Sequence, residues 1–267
     1  AIKKAKIKKD EIDAIAYTNG PGLMGSLLVG SSFAKAFAMG MNIPLIAINH
    51  MQAHILAHFI DEGEKMPSFP FLCLTVSGGH TQIVKVESPT KMEIIGTTLD
   101  DAAGEAFDKS AKILGLPYPG GPLIDKYAKN GNINAFTFGK PKVKNLDFSF
   151  SGLKTSILYK IQDGLKQNPN FITENKADLC ASIQYAIVSI LIEKLQKAKT
   201  QTGINQIAIA GSVSANSYLR NELEILAKQE NFYLFIPKFE YCTDNAAMIA
   251  IAGYFKFINK DFSTQTE

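Results

Sequence analysis

Phe71-Leu72-Cys73-Leu74-Thr75-Val76-Ser77-Gly78-Gly79-His80-Thr81-Gln82-Ile83-Val84-Lys85-Val86-Glu87 decides how this chain is read. Residues 71–76 form an unbroken run suited to a buried strand, which breaks into Ser77-Gly78-Gly79 before residues 82–87 resume as a second strand. Two adjacent glycines let backbone amides approach an anion with no Cβ in the way. Taken in isolation, the same residues are better read as a tight hairpin turn. Residues 92–98 read as a third consecutive strand, so a sheet begins here that is distinct from what precedes it.

Upstream, the pattern alternates. Residues 13–18 read as a strand, 23–41 as a helix of small residues, 44–48 as a strand and 51–61 as a helix, which predicts parallel sheet with helices on its faces. Downstream, helices are predicted over 101–114, 122–129, 152–162 and 177–200. A strand over 206–210, a helix over 216–230, a strand over 233–236 and a helix over 246–257 follow. The fold class is therefore α/β throughout, and residues 136–145, rich in Gly, Lys and Pro, form the longest irregular stretch.

With 267 residues, 46% hydrophobic and 20% charged, the chain can bury the core of one large or two modest domains. A net charge of +3 does not by itself announce a nucleic-acid binder. Cys73, Cys180 and Cys242 lie far apart with no Cys-x2-Cys pairing, which suits a reduced, cytoplasmic setting. No apolar stretch reaches the length of a membrane span, because residues 179–195 are interrupted by Ser182, Gln184, Ser189 and Glu193. The sequence opens Ala1-Ile2-Lys3, with no signal-peptide pattern and no initiator Met, as expected of a processed or trimmed product. The run Lys3, Lys4, Lys6, Lys8 and Lys9 reads as a solvated helix face.

His50 and His54, four apart in Asn-His-Met-Gln-Ala-His, project from one face of a helix that opens at a strand end. Such a pair can hold one metal ion, and can also be two polar residues on a solvated face. A catalytic metal site commonly adds a third protein ligand, often a carboxylate. Asp244, in Tyr-Cys-Thr-Asp-Asn-Ala-Ala-Met just before a helix, is the best candidate, with a plain helix cap as the alternative. His58 continues the face but drifts in bearing, and is read as a surface histidine.

Further glycine-rich turns repeat the logic of Ser77-Gly78-Gly79. Gly211-Ser-Val-Ser-Ala-Asn216 follows a strand and leads into a helix whose free amides can face a nucleotide. Asn19-Gly20-Pro21-Gly22 opens a helix in the same way. Asp101, Glu105 and Asp108 share a predicted helical face beside Asp100; one of these carboxylates can accept ribose hydroxyls, while Asp100 and Asp101 also fit helix-start charge. Tyr118-Pro119-Gly120-Gly121-Pro122, with Asp125 one turn further on, is a stiff turn that can press backbone against a sugar or merely turn the chain.

Seven motifs, in order, resemble the tRNA threonylcarbamoyladenosine transferases, the TsaD family, formerly known as glycoproteases. They are Asn-His-Met-Gln-Ala-His, Thr-Val-Ser-Gly-Gly-His-Thr, Asp-Asp-Ala-Ala-Gly-Glu-Ala-Phe-Asp-Lys, Tyr-Pro-Gly-Gly, Phe-Ser-Phe-Ser-Gly-Leu-Lys-Thr, Gly-Ser-Val-Ser-Ala-Asn and Cys-Thr-Asp-Asn-Ala-Ala-Met. The resemblance implies a two-lobed actin-like, sugar-kinase-type ATPase fold with its site between the lobes. One lobe is expected over 1–70 plus 238–267 and the other over 71–237. It further implies transfer of a threonylcarbamoyl group from threonylcarbamoyl-AMP to N6 of adenosine 37 in tRNAs reading codons that begin with A. By motif, His50, His54 and Asp244 would bind one divalent metal, iron or zinc. Thr75, Val76, Ser77, Gly78 and Gly79 would line the acyl-adenylate, with Asp108, Gly121 and Asp125 near its ribose and Asn216 on its adenine side. No protein nucleophile is expected. The implied partners are tRNA, an inactive paralogous (TsaB-like) subunit and a small P-loop (TsaE-like) ATPase, with no membrane. Lys140, Lys142 and Lys144 are candidate contacts to the tRNA backbone.

Two departures from the family pattern stand out. An opening strand hairpin with an Ile-Glu-Thr-Ser-Cys-Asp-like segment is not found, so the first lobe is expected to lack its opening strands in this chain. Gln52 stands where many relatives place Glu; it faces away from the histidine pair, and little effect is expected. Other function classes fit less well. A zinc protease would need Glu beside the first His, where Met51 stands; a small-molecule kinase of the same fold has no reason to own the His50, His54 and Asp244 set; and a silent scaffold subunit would be expected to have lost it.

Overall fold

The computed structural model describes residues 2–141 and 143–264. In chain order the elements are α1 (Ile2–Ala5), β1 (Ile15–Gly20), α2 (Met24–Met41), β2 (Leu45–Asn49), α3 (His50–Leu56), β3 (Phe71–Val76), β4 (Thr81–Ser88) and β5 (Lys91–Thr97). There follow α4 (Ala103–Ile113), α5 (Gly120–Ala128), α6 (Ser151–Gln167), α7 (Phe171–Glu174), α8 (Lys176–Thr202), β6 (Gln206–Ala210), α9 (Ser217–Glu230), β7 (Tyr233–Phe235), α10 (Phe239–Cys242) and α11 (Ala246–Ile258). Short 3-10 turns lie at Lys9–Glu11, Ala57–Phe59 and Ser212–Ala215.

The strands fall into two sheets. β1 and β2 pair in parallel, and a five-stranded sheet runs β5-β4-β3-β6-β7, antiparallel across β5-β4-β3 and parallel across β3-β6-β7. β3 lies in the middle of the larger sheet and every one of its residues is buried, as its continuous apolar run requires. The main core forms where β3, β4 and β6 meet α4, α6 and the long α8, which buries Leu179, Ile183, Ile187 and Leu191. A second cluster joins Ile46 and Ile48 of β2, Ala53 and Leu56 of α3, and Met248 and Ala252 of α11. In that way the last long helix closes over the first sheet, some 200 residues earlier in the chain.

Asparagines set several boundaries. Asn49 Oδ1 accepts from the amides of Met51 (3.0 Å) and Gln52 (3.1 Å), so α3 starts at His50, one residue before the sequence reading. Asn216 and Asn245 cap α9 and α11 in the same manner, through the amides of Leu219 and Met248. Helices α2 and α9 end on Asn42 and Asn231 in the left-handed conformation.

Two expectations are corrected. The lysine-rich start is not one continuous helix face: only Ile2–Ala5 is α-helical, Lys6 adopts φ 56° and ends it, and Lys9 opens a separate 3-10 turn, although the lysines are exposed as expected. The short helices α7 and α10 were not read from the sequence. The stretch over 136–145 holds no helix or strand among its described residues; Lys194 Nζ fastens it from below, donating to the carbonyls of Val143 (3.0 Å) and Asn145 (2.8 Å).

Candidate functional site

The carboxyl ends of β1, β2, β3 and β6 open toward one place, where ligands of open α/β sheets bind. β2 runs directly into α3, which presents His50 on its first turn and His54 one turn later. From the far end of the chain, the loop between α10 and α11 brings Asp244 to them. His50 Nε2 lies 3.1 Å from His54 Nε2 and 3.0 Å from Asp244 Oδ1, and His54 Nε2 lies 3.2 Å from the same oxygen. His54 is 3% exposed and the Asp244 side chain 76%, so the group has a closed floor and an open mouth.

Protons satisfy this triangle poorly. If both rings donate to Oδ1, their N–H groups face each other at 3.1 Å; if one ring turns its lone pair inward, it meets another acceptor. A single cation suits all three atoms at once. Ligands about 2.0–2.1 Å from a tetrahedral zinc stand about 3.3 Å apart, close to the 3.0–3.2 Å found. Burial, reinforced by the neighbouring His50, holds the pKa of His54 below that of an ordinary imidazole, against the opposing pull of Asp244. That favours the neutral ring a metal ligand requires. The three residues therefore fit a metal ion.

His58 departs from its surface reading. The regular helix stops at Leu56, and the following 3-10 turn rotates His58 inward, so that its Nε2 donates to the Ile209 carbonyl of β6 at 2.9 Å. Burial pushes its pKa down to about 4.

Two cavities share walls here. One of ≈ 610 Å³ is lined by His50, His54, Asp244, Ser77, Gly78, Gly79, His80 and the Pro21-Gly22-Leu23 turn. The other, ≈ 460 Å³, is lined by Gly104, Phe107, Asp108, Tyr118, Gly121, Asp125 and Asn216. Gly78, Ser212 and Thr243 face both. The expected residues thus sit on two adjoining pockets, with two exceptions. Thr75 and Val76 are fully buried in β3 and line neither cavity. They brace the Ser77–Gly79 turn from behind.

Within the second cavity the polar residues also hold the fold. Asp108 Oδ1 accepts from the amides of Gly120 (2.7 Å) and Gly121 (3.2 Å) at the start of α5. Asp125 accepts from the amide and hydroxyl of Ser217 at the start of α9, and Asn216 Nδ2 donates to Gln184. The other acidic candidates turn away. Asp100 caps α6 through Phe150 and Ser151 rather than its own helix, and Asp101 and Glu105 both pair with Lys109.

The glycines divide similarly. A Cβ at Gly104 would lie 2.6 Å from the Ser77 carbonyl, and one at Gly211 (φ +87°) 2.4 Å from that of Val76, so both are glycine because backbone packs against backbone. At Gly78 and Gly79 a Cβ would meet nothing within 4 Å. Their bareness faces the open cavity. Gly104, Ser212 and Thr243 were not named individually as wall residues, yet each lies inside a motif already quoted, and that membership was the available signal.

Comparison with known proteins now decides the family. The sequence profile of TsaD, tRNA N6-adenosine threonylcarbamoyltransferase, matches residues 1–251. The chain belongs to that family. It is 64% identical over 264 residues to the tRNA N6-adenosine threonylcarbamoyltransferase of Christiangramia forsetii, covering 98% of this chain and 78% of that relative. It is 57% identical over 265 residues to the Porphyromonas gingivalis protein of the same name, with the same coverage of both. Among solved structures, full-length HypF in its phosphate- and nucleotide-bound form superposes with a TM-score of 0.65 at 13% identity. The match covers 97% of this chain and about half (48%) of HypF, a likeness of fold. The two-lobed actin-like α/β architecture expected from the family motifs stands. No helix among the described residues is long and apolar enough to cross a membrane.

Proposed function

We propose that this chain forms N6-threonylcarbamoyladenosine at position 37 of tRNAs reading codons that begin with A, with threonylcarbamoyl-AMP as donor and one iron or zinc ion held by His50, His54 and Asp244. Membership of a tRNA N6-adenosine threonylcarbamoyltransferase family gives the transfer to tRNA. The observation that carries the finer reading is the shared wall: a three-ligand cluster adjoins a glycine-walled cavity through Gly78, Ser212 and Thr243.

The donor is a mixed carbamic–phosphoric anhydride. Attack by the exocyclic amine raises negative charge on the carbonyl oxygen and on the departing phosphate. Bare amides at Gly78 and Gly79 suit that charge, because preorganised donors in a partly closed site act without reorganising. A bound metal would add Lewis-acid polarisation of donor oxygens. Asp108, with Oδ1 taken by two amides, has Oδ2 left for a ligand hydroxyl. No nucleophilic side chain is required.

Lobes over 1–70 plus 238–267 and over 71–237 are supported by the separate sheets and the closure of α11 over the first. A TsaB-like partner is supported by α2, where Leu28, Val29 and Phe33 stand 62%, 72% and 68% exposed. A TsaE-like ATPase and a cytoplasmic setting, supported by three buried free cysteines, complete the reading. Lys140 and Lys144 are exposed and suit the tRNA backbone; Lys142 lies outside the described residues.

Reconstitution with pure threonylcarbamoyl-AMP, tRNA and partner proteins tests this, comparing the chain with His54→Ala. Product from the unaltered chain, with product and bound metal both lost in the variant, is expected. Equal product from the two would refute the metal's role.

A further inference from the structure

We propose that His80 takes the proton from the acceptor amine and is thus the base of the transfer. The chain has four histidines, and three of them are committed. His50 and His54 meet Asp244, and His58 holds the Ile209 carbonyl. His80 lines the same ≈ 610 Å³ cavity as the metal-binding triad. Its ring makes no hydrogen bond or ion pair to any described residue, while its backbone is clamped: its amide donates to Ser77 Oγ (3.1 Å), and its carbonyl accepts from the Ser77 amide (2.8 Å).

That combination, a fixed backbone beneath an uncommitted imidazole, is what a proton acceptor at a reacting centre needs. The remaining wall offers no rival. Beyond the triad, its polar side chains are the hydroxyls of Ser77, Ser212 and Thr243, far weaker bases than imidazole.

The step balances without a co-reactant. The amine nitrogen forms a bond to the carbamoyl carbon; the bond from that carbon to the phosphate oxygen breaks, and its electron pair leaves with AMP. The amine proton passes to a ring nitrogen of His80 and from there to solvent, which restores the ring. This assignment rests on the transfer proposed above, and the test separates the two.

Single-turnover transfer from threonylcarbamoyl-AMP to tRNA, with partner proteins present, is measured for the unaltered chain, His80→Gln and His80→Ala. Expected are a loss of about 100-fold or more in the rate at saturating donor for both variants, unchanged donor KM and metal content, and partial recovery of His80→Ala with added imidazole. A His80→Gln rate within a few-fold of the unaltered chain overturns the assignment. So does a loss that follows metal content or donor KM and resists imidazole, since His80 would then only build the loop. If the unaltered chain itself forms no product, the functional reading fails and this inference falls with it.

Discussion

The two ends of the cleft use similar polar side chains differently. At the triad, His50, His54 and Asp244 direct their ligand atoms at one another, and the Asp244 carboxylate makes no hydrogen bond to any other described residue. At the other end, Asp108, Asp125 and Asn216 face a cavity yet fasten the starts of α5 and α9. Polar groups that cap helices stabilise the fold whether or not a ligand is present. A cluster of mutually crowded ligand atoms does not, so its presence points more strongly to function.

The sharpest way to break this contrast is Asp244→Ala. It should reduce product formation by about 100-fold or more and abolish stoichiometric metal, while the thermal midpoint changes little, because the side chain is 76% exposed and braces no helix. A large fall in midpoint by calorimetry would mean the triad serves the fold after all.

His58 extends the comparison one turn along the same segment. Its folded pKa of about 4 lies below the ordinary 6.5. Above pH 6.5 the ring is neutral in both states and its contribution is fully present. As pH falls toward 4, only the unfolded chain takes up the proton, so stability declines by about 2–3 kcal/mol from this group. Urea unfolding at pH 7 and pH 4.5 should show a steeper loss for the unaltered chain than for His58→Gln; parallel losses would contradict a neutral ring held on the Ile209 carbonyl.

At the capping end, Asn216→Ala should cost about 1–2 kcal/mol, through the lost bond to the Leu219 amide and the stranded Gln184. Its donor KM should rise as α9 frays. Unchanged stability would assign Asn216 to ligand alone. The smallest expected effect belongs to Lys144→Glu: tRNA binding weakens, and the slope of log affinity against log salt falls by about 0.7–0.9 per lost phosphate contact. An unchanged slope would remove this lysine from the interface.

Much of the fold was legible because apolar runs and turn residues act locally. The all-buried β3, the Ser77-Gly78-Gly79 break and the α/β alternation follow from side-chain pattern and Cβ sterics. The misreadings occurred where a neighbour distant in sequence intervened. Asp100 looked like charge at the start of its own helix but caps α6, because Thr97 and Thr98 pair with the backbone around Phe148 and bring the two segments together. Thr75 and Val76 belong to the expected binding motif, yet the central position of β3 covers both with its neighbours.

By itself, the sequence determined that His50 and His54 share a helix face, since a four-residue step nearly completes one turn. It also determined the bare glycines of the loop and, through its motifs, the family. Only the tertiary structure decided that Asp244, 190 residues beyond His54, comes to 3.2 Å from it. It decided too that His58 turns inward while His80 keeps a free ring at the cavity wall. Periodicity fixes which way a side chain points along its own element, whereas which side chains meet depends on how those elements pack.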